Sequence, residues 1–350
     1  MNEKIICKQY EIHFKDWKTL QERVQKNYSK RIIIVDENTE RHCLPVFLSH
    51  FEETFSIISI PAGETYKNLT TAQFIWEEMM RLGADRHSLC LNLGGGVIGD
   101  MGGWTAASYM RGMEFIQIPT TLLSMVDASV GGKLAVDFQG VKNIIGLIKD
   151  PEAVFIFPEF LSTLSGREKR SGFAEILKHG LIADQNYWIK AKEINPNEYA
   201  NWTEIIYESV IIKKSVTEED PLERGLRKIL NFGHTLGHAI ESISFQDEDP
   251  LLHGEAIAIG MITEGHLSFQ LGMLAKTELE QITDSIINLY GHHPKYIPSA
   301  VEAMTYMRKD KKNKAGNIRF SLLKAIGKAN YDQEASPKQI ETALNYYKYL

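Results

Sequence analysis

Ser88-Leu89-Cys90-Leu91-Asn92-Leu93-Gly94-Gly95-Gly96-Val97-Ile98-Gly99-Asp100 is the stretch whose reading decides the fold. Its first half is an apolar run of strand length, and its second half is a glycine turn opening into the helical segment Met101–Met110. Gly94, Gly96 and Gly99 fit the spacing G-x-G-x-x-G. Glycines there let the backbone approach a pyrophosphate, while the helix N-terminus offers N–H donors and a positive dipole end. Tight strand-to-helix turns enrich glycine for other reasons too, but the strand before and the helix after favour a phosphate or dinucleotide site. The acid about 20 residues on, which usually takes the ribose, is Glu114 at the start of the next strand. Asp36, closing an earlier strand, is the better candidate.

Working outward, Arg31–Asp36, Phe55–Ile60, Glu114–Pro119 and Ala153–Phe157 are further strand-like runs, and Asn68–Leu82 has helical periodicity. Strands alternating with helices predict an α/β domain with a largely parallel sheet. Thr120 and Thr121 fall at the C-terminal end of a strand, where such sheets bind ligands. Gly131-Gly132 then presents Lys133 on a tight turn, with Lys142-Asn143 following. Any one of these lysines could be a solvated loop charge. Arg111, Asp127, Lys133 and Lys142 together, amid glycines and short polar residues, favour a ligand site over four idle charges.

The second informative stretch is Leu230–Glu241. On a helix, His234 and His238 project from one face, one turn apart, and Asn231 and Arg227 look into the same space. His253, in Leu252-His253-Gly254-Glu255, offers a third imidazole, and Glu175 stands three residues before Lys178 on another helical segment. Histidines at this spacing are often surface or satisfied core residues. The polar neighbours favour a catalytic metal, built from three N/O ligands and an open position. Lys178, Lys213, Arg227 and Arg308-Lys309-Asp310-Lys311-Lys312 would suit a substrate carrying a phosphate and a carboxylate, against a plain alternative of solvated surface.

Past about residue 160, Ser165–Ile182, Tyr187–Glu193, Glu204–Val216, Glu223–Ser244, Gly254–Gly272 and Lys276–Leu289 all carry helical periodicity, and one strand-like piece, Ile318–Leu323, comes late. The expected fold class is an α/β N-terminal nucleotide-binding domain, 1–160, plus an all-α C-terminal metal-binding domain, 161–350, that is mainly helical. The active site is expected in the cleft between them. A chain of 350 residues accords with two domains. A net charge of −6 argues against nucleic acid as a partner. Cys7, Cys43 and Cys90 have no CxxC spacing and fit reduced thiols in a cytoplasmic protein. Neither an apolar signal core nor a membrane-spanning apolar run is expected.

Gly94–Asp100, Arg111, Pro119-Thr120-Thr121, Asp127 through Lys133, Lys142-Asn143, Glu175-x-x-Lys178, Asn231-x-x-His234-x-x-x-His238 and His253-Gly254-Glu255 resemble, in that order, the 3-dehydroquinate synthases over roughly residues 30 to 325. The resemblance implies a divalent metal, zinc first and cobalt second, held by Glu175, His234 and His253. Spacing alone pairs His234 with His238; the resemblance instead puts His238 just outside the metal as an acid–base or hydrogen-bonding group. Glu255 is a rival to His253 as ligand. It further implies NAD along Gly95, Gly96, Val97, Ile98, Gly99 and Asp100, with Asp36, Asn38, Glu64, Lys67, Thr120, Thr121, Lys133, Lys142 and Phe160, Leu161, Ser162, Thr163 around it. Lys133, Lys142, Asn143, Lys178, Lys213, Arg227, Asn231 and one of Lys311 or Lys312 would hold the substrate, with Asp127 in the catalytic set. Arg111 would contact the phosphate, either from its own chain or from the partner subunit of a homodimer.

The implied reaction converts the small phosphorylated substrate 3-deoxy-D-arabino-heptulosonate 7-phosphate into 3-dehydroquinate and phosphate, by transient oxidation, elimination, re-reduction and aldol closure. Leu134-Ala135 departs from the Thr and Gly that many members carry after the lysine. Rival readings are cyclases that make inosose or valiolone skeletons and, with less use for so many cations, a glycerol-type dehydrogenase. A non-catalytic descendant would be expected to have lost a ligand or a substrate lysine, and none is missing.

Overall fold

A computed structural model describes residues 3–139, 141–309 and 318–350. Lys311 and Lys312 lie outside the described residues. The chain divides into two compact units, Met1–Ser165 and Gly166–Leu350. The turn Pro158–Thr163, which carries Phe160 to Thr163, therefore belongs to the first unit.

Among the described residues the first unit has nine strands, β1 Lys4–Ile6, β2 Glu11–Phe14, β3 Arg31–Asp36, β4 Ser56–Ile60, β5 Leu89–Gly94, β6 Glu114–Pro119, β7 Lys133–Phe138, β8 Val141–Ile148 and β9 Ala153–Ile156. Seven form one sheet in the order β1-β2-β9-β6-β5-β3-β4, and β7 and β8 form a separate antiparallel hairpin. Every pairing in the large sheet is parallel except β1 with β2. β3 is a continuous apolar run, and β5 is one but for the buried Asn92, because helices cover both faces of such a sheet. Ile32, Ile33, Ile34 and Val35 are each 0% exposed, and burying a side chain of this size stabilises by roughly 1.5–3 kcal/mol.

The register pairs Asp36 with Ile60 and Gly94 with Pro119, so Asp36, the glycine turn and Thr120 all leave the same edge of the sheet. From β3 the chain crosses to β4 on one side, and from β5 it crosses to β6 on the other. That reversal opens a crevice at the C-terminal ends of β3 and β5, the place where α/β sheets bind ligands. The helix after the glycine turn starts earlier than expected, at Gly96, and ends at Ser108. It packs closely through two glycines outside the fingerprint: a Cβ on Gly102 would lie 2.1 Å from Asn92 Oδ1, and one on Gly103 would lie 2.4 Å from Leu134 Cδ2. Lys133 is the first residue of β7 rather than the tip of a turn; Gly131 and Gly132, with φ of 95° and 64°, make the turn before it.

The second unit is helical, with main helices Gly166–Ala183, Trp202–Glu219, His234–Ser244, His253–Gln270, Lys276–Tyr290 and Pro337–Lys348. To these the structure adds an antiparallel ribbon of β10 Phe320–Ala325 and β11 Lys328–Gln333, of which the sequence pattern showed only the first strand. His253–Gln270 is apolar nearly all round, as a central helix must be, and packs against four of the others. The expected single helix Glu223–Ser244 is broken. A short 3-10 turn, Leu226–Asn231, precedes Gly233 at φ 77°, and only then does the helix begin at His234. Arg227 and Asn231 thus do not stand two turns and one turn below His234 on a common helix. Among the described residues no helix is long and apolar enough to cross a membrane, and Cys7, Cys43 and Cys90 are buried and form no disulfide with one another.

Candidate active site

Three helices of the second unit bring four side chains together. Glu175 comes from Gly166–Ala183, His234 and His238 from the start of His234–Ser244, and His253 from the first position of His253–Gln270. One nitrogen from each histidine lies within 4.8 Å of the others. His234 Nε2 and His253 Nε2 are 3.4 and 3.7 Å from the same oxygen, Glu175 Oε1. Donors about 2.0–2.1 Å from a tetrahedral ion stand roughly 3.3 Å apart, so this spacing fits a divalent metal.

The outer nitrogens are also engaged. His234 Nδ1 is 3.1 Å from the Phe232 carbonyl, to which its N–H donates, leaving the Nε2 lone pair toward Glu175. His253 Nδ1 faces Glu241 Oε2 at 3.7 Å. Carbonyls and carboxylates in these positions orient metal-binding imidazoles. Burial, then the neighbouring Lys178 ammonium, holds His234 well below its ordinary value, so it is neutral and able to ligate. For His253 burial also pulls downward, but Glu175 and Glu241 outweigh it and lift the imidazole to about 9. His238 completes the triangle, its ring 5.2 Å from that of His234 and 5.7 Å from that of His253.

Close helix contacts fix these positions. A Cβ on Gly254, next to His253, would lie 1.8 Å from the Ser171 carbonyl oxygen, one turn before Glu175. A Cβ on Gly260 would lie 1.9 Å from the carbonyl oxygen of Gly233, next to His234. Glu264, 0% exposed, accepts from Gly233 N at 2.7 Å and Leu236 N at 2.9 Å, capping the helix that His234 begins. Sequence reading gave Glu241 and Glu264 no role. An acid two turns past His234, and another inside an apolar helix, were the available signals. Glu255 does not join the donors: Arg167 grips it through two hydrogen bonds of 2.8 Å, and it accepts from Leu252 N.

The cations of this unit are unusually deep. Lys178 contacts Glu175 Oε2 and is 1% exposed, Lys213 is 5% exposed and Arg227 is 2% exposed. Arg227 donates from Nη1 to the Pro221 carbonyl, and Asn231 Nδ2 donates to Glu223 Oε1 at 2.9 Å.

In the first unit, Gly95 caps the helix Gly96–Ser108 with no side-chain hydrogen bond, so its leading N–H groups face the crevice side of the turn. A Cβ on Gly95 would lie 3.0 Å from Thr121 Cγ2, and Thr120 N donates to the Gly94 carbonyl at 3.0 Å. Lys67 is the hub beside them, buried and bound to Asp100 Oδ2 and Asn143 Oδ1 at 2.6 Å each, with Glu64 at 3.8 Å. Burial disfavours its charge, but Asp100 and then Glu64 raise it above the ordinary lysine value, so it stays an ammonium. Glu64, Lys67, Asp100 and Asn143 are thus one network. The Asp36 carboxylate accepts from Thr39 N as a helix cap, while Asn38, Lys133, Ser162 and Thr163 are exposed and Lys142 and Asp127 half-buried. Phe160 and Leu161 are buried. Arg111 is not brought to this group within one chain: it is exposed, with φ 70°, beside the N-terminal edge of β6, whereas Thr120 follows the C-terminal edge.

Residues 57–171 match the family model for the 3-dehydroquinate synthase N-terminal region, and 172–313 match that for the C-terminal region. The chain belongs to the 3-dehydroquinate synthase family. A 3-dehydroquinate synthase of Parabacteroides distasonis is 38% identical over 351 residues, covering 98% of this chain and 97% of that protein. One from Streptococcus pyogenes serotype M3 is 37% identical over 326 residues, 90% of each. Among solved structures, 2-epi-5-epi-valiolone synthase of Streptomyces hygroscopicus, with NAD+ and Zn2+ bound, is 25% identical with a TM-score of 0.82 over 99% of both chains. A 2-deoxy-scyllo-inosose synthase complexed with carbaglucose-6-phosphate, NAD+ and Co2+ shares the fold at 24% identity, with a TM-score of 0.88 over 99% of this chain and 100% of that one. Both structures share the fold of this chain at lower identity than the 3-dehydroquinate synthases do, so identity, not fold, separates them.

Proposed function

We propose that this protein is a cytoplasmic 3-dehydroquinate synthase, converting 3-deoxy-D-arabino-heptulosonate 7-phosphate to 3-dehydroquinate and phosphate. The observation that carries this reading is the convergence of Glu175 Oε1 with His234 Nε2 and His253 Nε2, at 3.4 and 3.7 Å, in a chain of this family. NAD along Gly94–Asp100 would supply reversible hydride transfer, and zinc or cobalt held by Glu175, His234 and His253 would supply Lewis acidity. Glu64, Lys67, Asp100, Thr120 and Thr121 line the nucleotide's path, with Asp36, Asn38 and Phe160 to Thr163 at its margins. Lys133, Lys142 and Asn143 come from the β7–β8 hairpin to bind polar groups of cofactor and substrate. Lys178, Lys213, Arg227 and Asn231 hold the carboxylate and hydroxyls and offset the charge that develops as phosphate leaves. His238, with Asp127, serves proton transfer to and from the substrate's hydroxyls. Arg111 reaches the phosphate from the second copy in a homodimer.

The test is phosphate release from this heptulosonate by metal-loaded protein with NAD, the product identified by mass and NMR. Parallel samples hold a chelator, the His253→Ala variant, or glucose 6-phosphate and sedoheptulose 7-phosphate as rival substrates. Dehydroquinate formed only with metal, and at least a hundredfold less by His253→Ala, is the expected result. Turnover of a rival sugar instead would move the protein to another cyclase class.

A further inference from the structure

Helix Gly166–Ala183 carries Glu175, and two other residues on the same face, Arg167 and Ser171, stand two turns and one turn before it. All three reach the segment around His253. Arg167 Nε and Nη2 donate to the two oxygens of Glu255 at 2.8 Å each. Its Nη1 donates to Asp249 Oδ1 at 2.6 Å, and Nη2 also donates to the Pro250 carbonyl at 2.7 Å. Ser171 Oγ accepts from Gly254 N at 3.0 Å, and Glu175 Oε1 faces His253 Nε2 at 3.7 Å. Glu255 Oε2 in turn accepts from Leu252 N at 2.8 Å, so it closes the helix start at which His253 is the first residue.

We propose that Arg167 is a positioning residue for the metal centre: it clamps Glu255 and the Asp249–Leu252 segment, and thereby sets the distance between His253 and Glu175. The proposal rests on the reading of Glu175, His234 and His253 as metal ligands. One helix then carries both the carboxylate donor and the fork that fixes a histidine donor, so the two move as a unit. The same fork occupies the Glu255 carboxylate, which stands two residues from His253 and would otherwise compete for the ion. Arginine is required by this geometry. Its planar fork takes a carboxylate side-on and still has donors for Asp249 and Pro250, whereas a lysine offers one point charge on a flexible stem.

The experiment measures Co2+ affinity of the full chain by chelator competition, together with the visible d–d spectrum of the bound ion, without NAD or substrate. Wild type is compared with Arg167→Met, Arg167→Lys and Glu255→Gln, and thermal unfolding of each metal-free protein is recorded alongside. Displacing an oriented ligand typically costs 10–100-fold in metal affinity. Arg167→Met is expected to weaken Co2+ binding by about that factor and to alter the spectrum, with Arg167→Lys intermediate and metal-free unfolding shifted by only a few degrees. A structural clamp with no bearing on the metal would lower metal-free unfolding and leave the affinity and spectrum of the folded protein unchanged. That result overturns the proposal. If Arg167→Met does not fold, Arg167→Lys and Glu255→Gln decide it by the same readout. Wild type failing to bind Co2+ would sink the metal reading and this proposal with it, while tight binding by every variant sinks the clamp alone.

Discussion

A Cβ on Gly254 or Gly260 would meet backbone, the carbonyl oxygens of Ser171 and Gly233 at 1.8 and 1.9 Å, so no side-chain rotation can relieve it. An alanine at either position must push a ligand-bearing helix aside. Gly265, on the same helix as both, is different: its Cβ would meet only Leu279 Cδ1, at an ordinary 3.5 Å. Gly254→Ala and Gly260→Ala are therefore expected to destabilise the protein by about 1–3 kcal/mol and to weaken metal binding. Gly265→Ala should be neutral or stabilising by up to about 1 kcal/mol, since alanine suits a helix interior better than glycine. Denaturant unfolding with a parallel Co2+ titration checks both halves. Equal effects at the three positions would mean that close approach of these helices does not place the ligands. Residue identity carried part of this site into the sequence: Glu175, His234, His238 and His253 are chemically conspicuous. What could not be read was which carboxylate is spent elsewhere, because the partner that engages Glu255 lies on another helix.

Between residue and molecule, the turn before His234 shows where periodicity stops informing. An apolar pattern that runs through Glu223–Ser244 reads as one helix, yet contacts distant in sequence break it. The Glu264 carboxylate takes Gly233 N, and Asp220 takes the N–H groups of Arg224, Gly225 and Arg227 at 2.9, 2.6 and 3.2 Å. The parallel strand β3 was legible because burial on both faces makes Ile32 to Val35 a continuous apolar run. The hairpin β7–β8 was not, since its outer face exposes Phe138, Ile144 and Ile148 and its glycines read as a loop. β11, with Asn330 and Asp332, lacks a strand composition and depends on β10 for its form. The Asp220 turn yields a pH test. Burial pulls its carboxyl upward, but the three N–H donors and Arg227 outweigh that and hold it below the ordinary value. Its contribution to stability is therefore present above about pH 4, the unfolded range, and is lost as pH falls through the lower folded value. Asp220→Asn is expected to unfold at a lower temperature than wild type at pH 7, with the gap closing below about pH 4. A gap that stays constant from pH 7 to 3 would show that the turn needs the shape of Asp220 and not its charge.

At the scale of the molecule, one residue of the expected set, Arg111, lies apart from those at the C-terminal edge of the sheet. Arg111 leads into the N-terminal edge of β6, and Thr120 follows its C-terminal edge, so a six-residue strand of roughly 20 Å separates them. Arg111 is exposed, and its backbone is held at φ 70°, which a tight turn rather than a random surface position requires. If two copies pair about a two-fold axis, each supplies Arg111 to the site of the other, and the two sites remain equivalent. This arrangement makes a prediction that an arginine acting within its own chain does not. Arg111→Ala and His253→Ala should each be nearly inactive alone. Mixed, unfolded and refolded together in equal amounts, they should recover about a quarter of wild-type activity. About half of the dimers would then be mixed, and each of those has one site with both an intact metal set and a partner arginine. Turnover of the heptulosonate against the mixing ratio, alongside the mass of the assembly in solution, makes the measurement. Recovery that peaks at equal amounts supports a shared site. Activity no higher than that of the better parent would place Arg111 outside the catalytic machinery of the neighbouring copy.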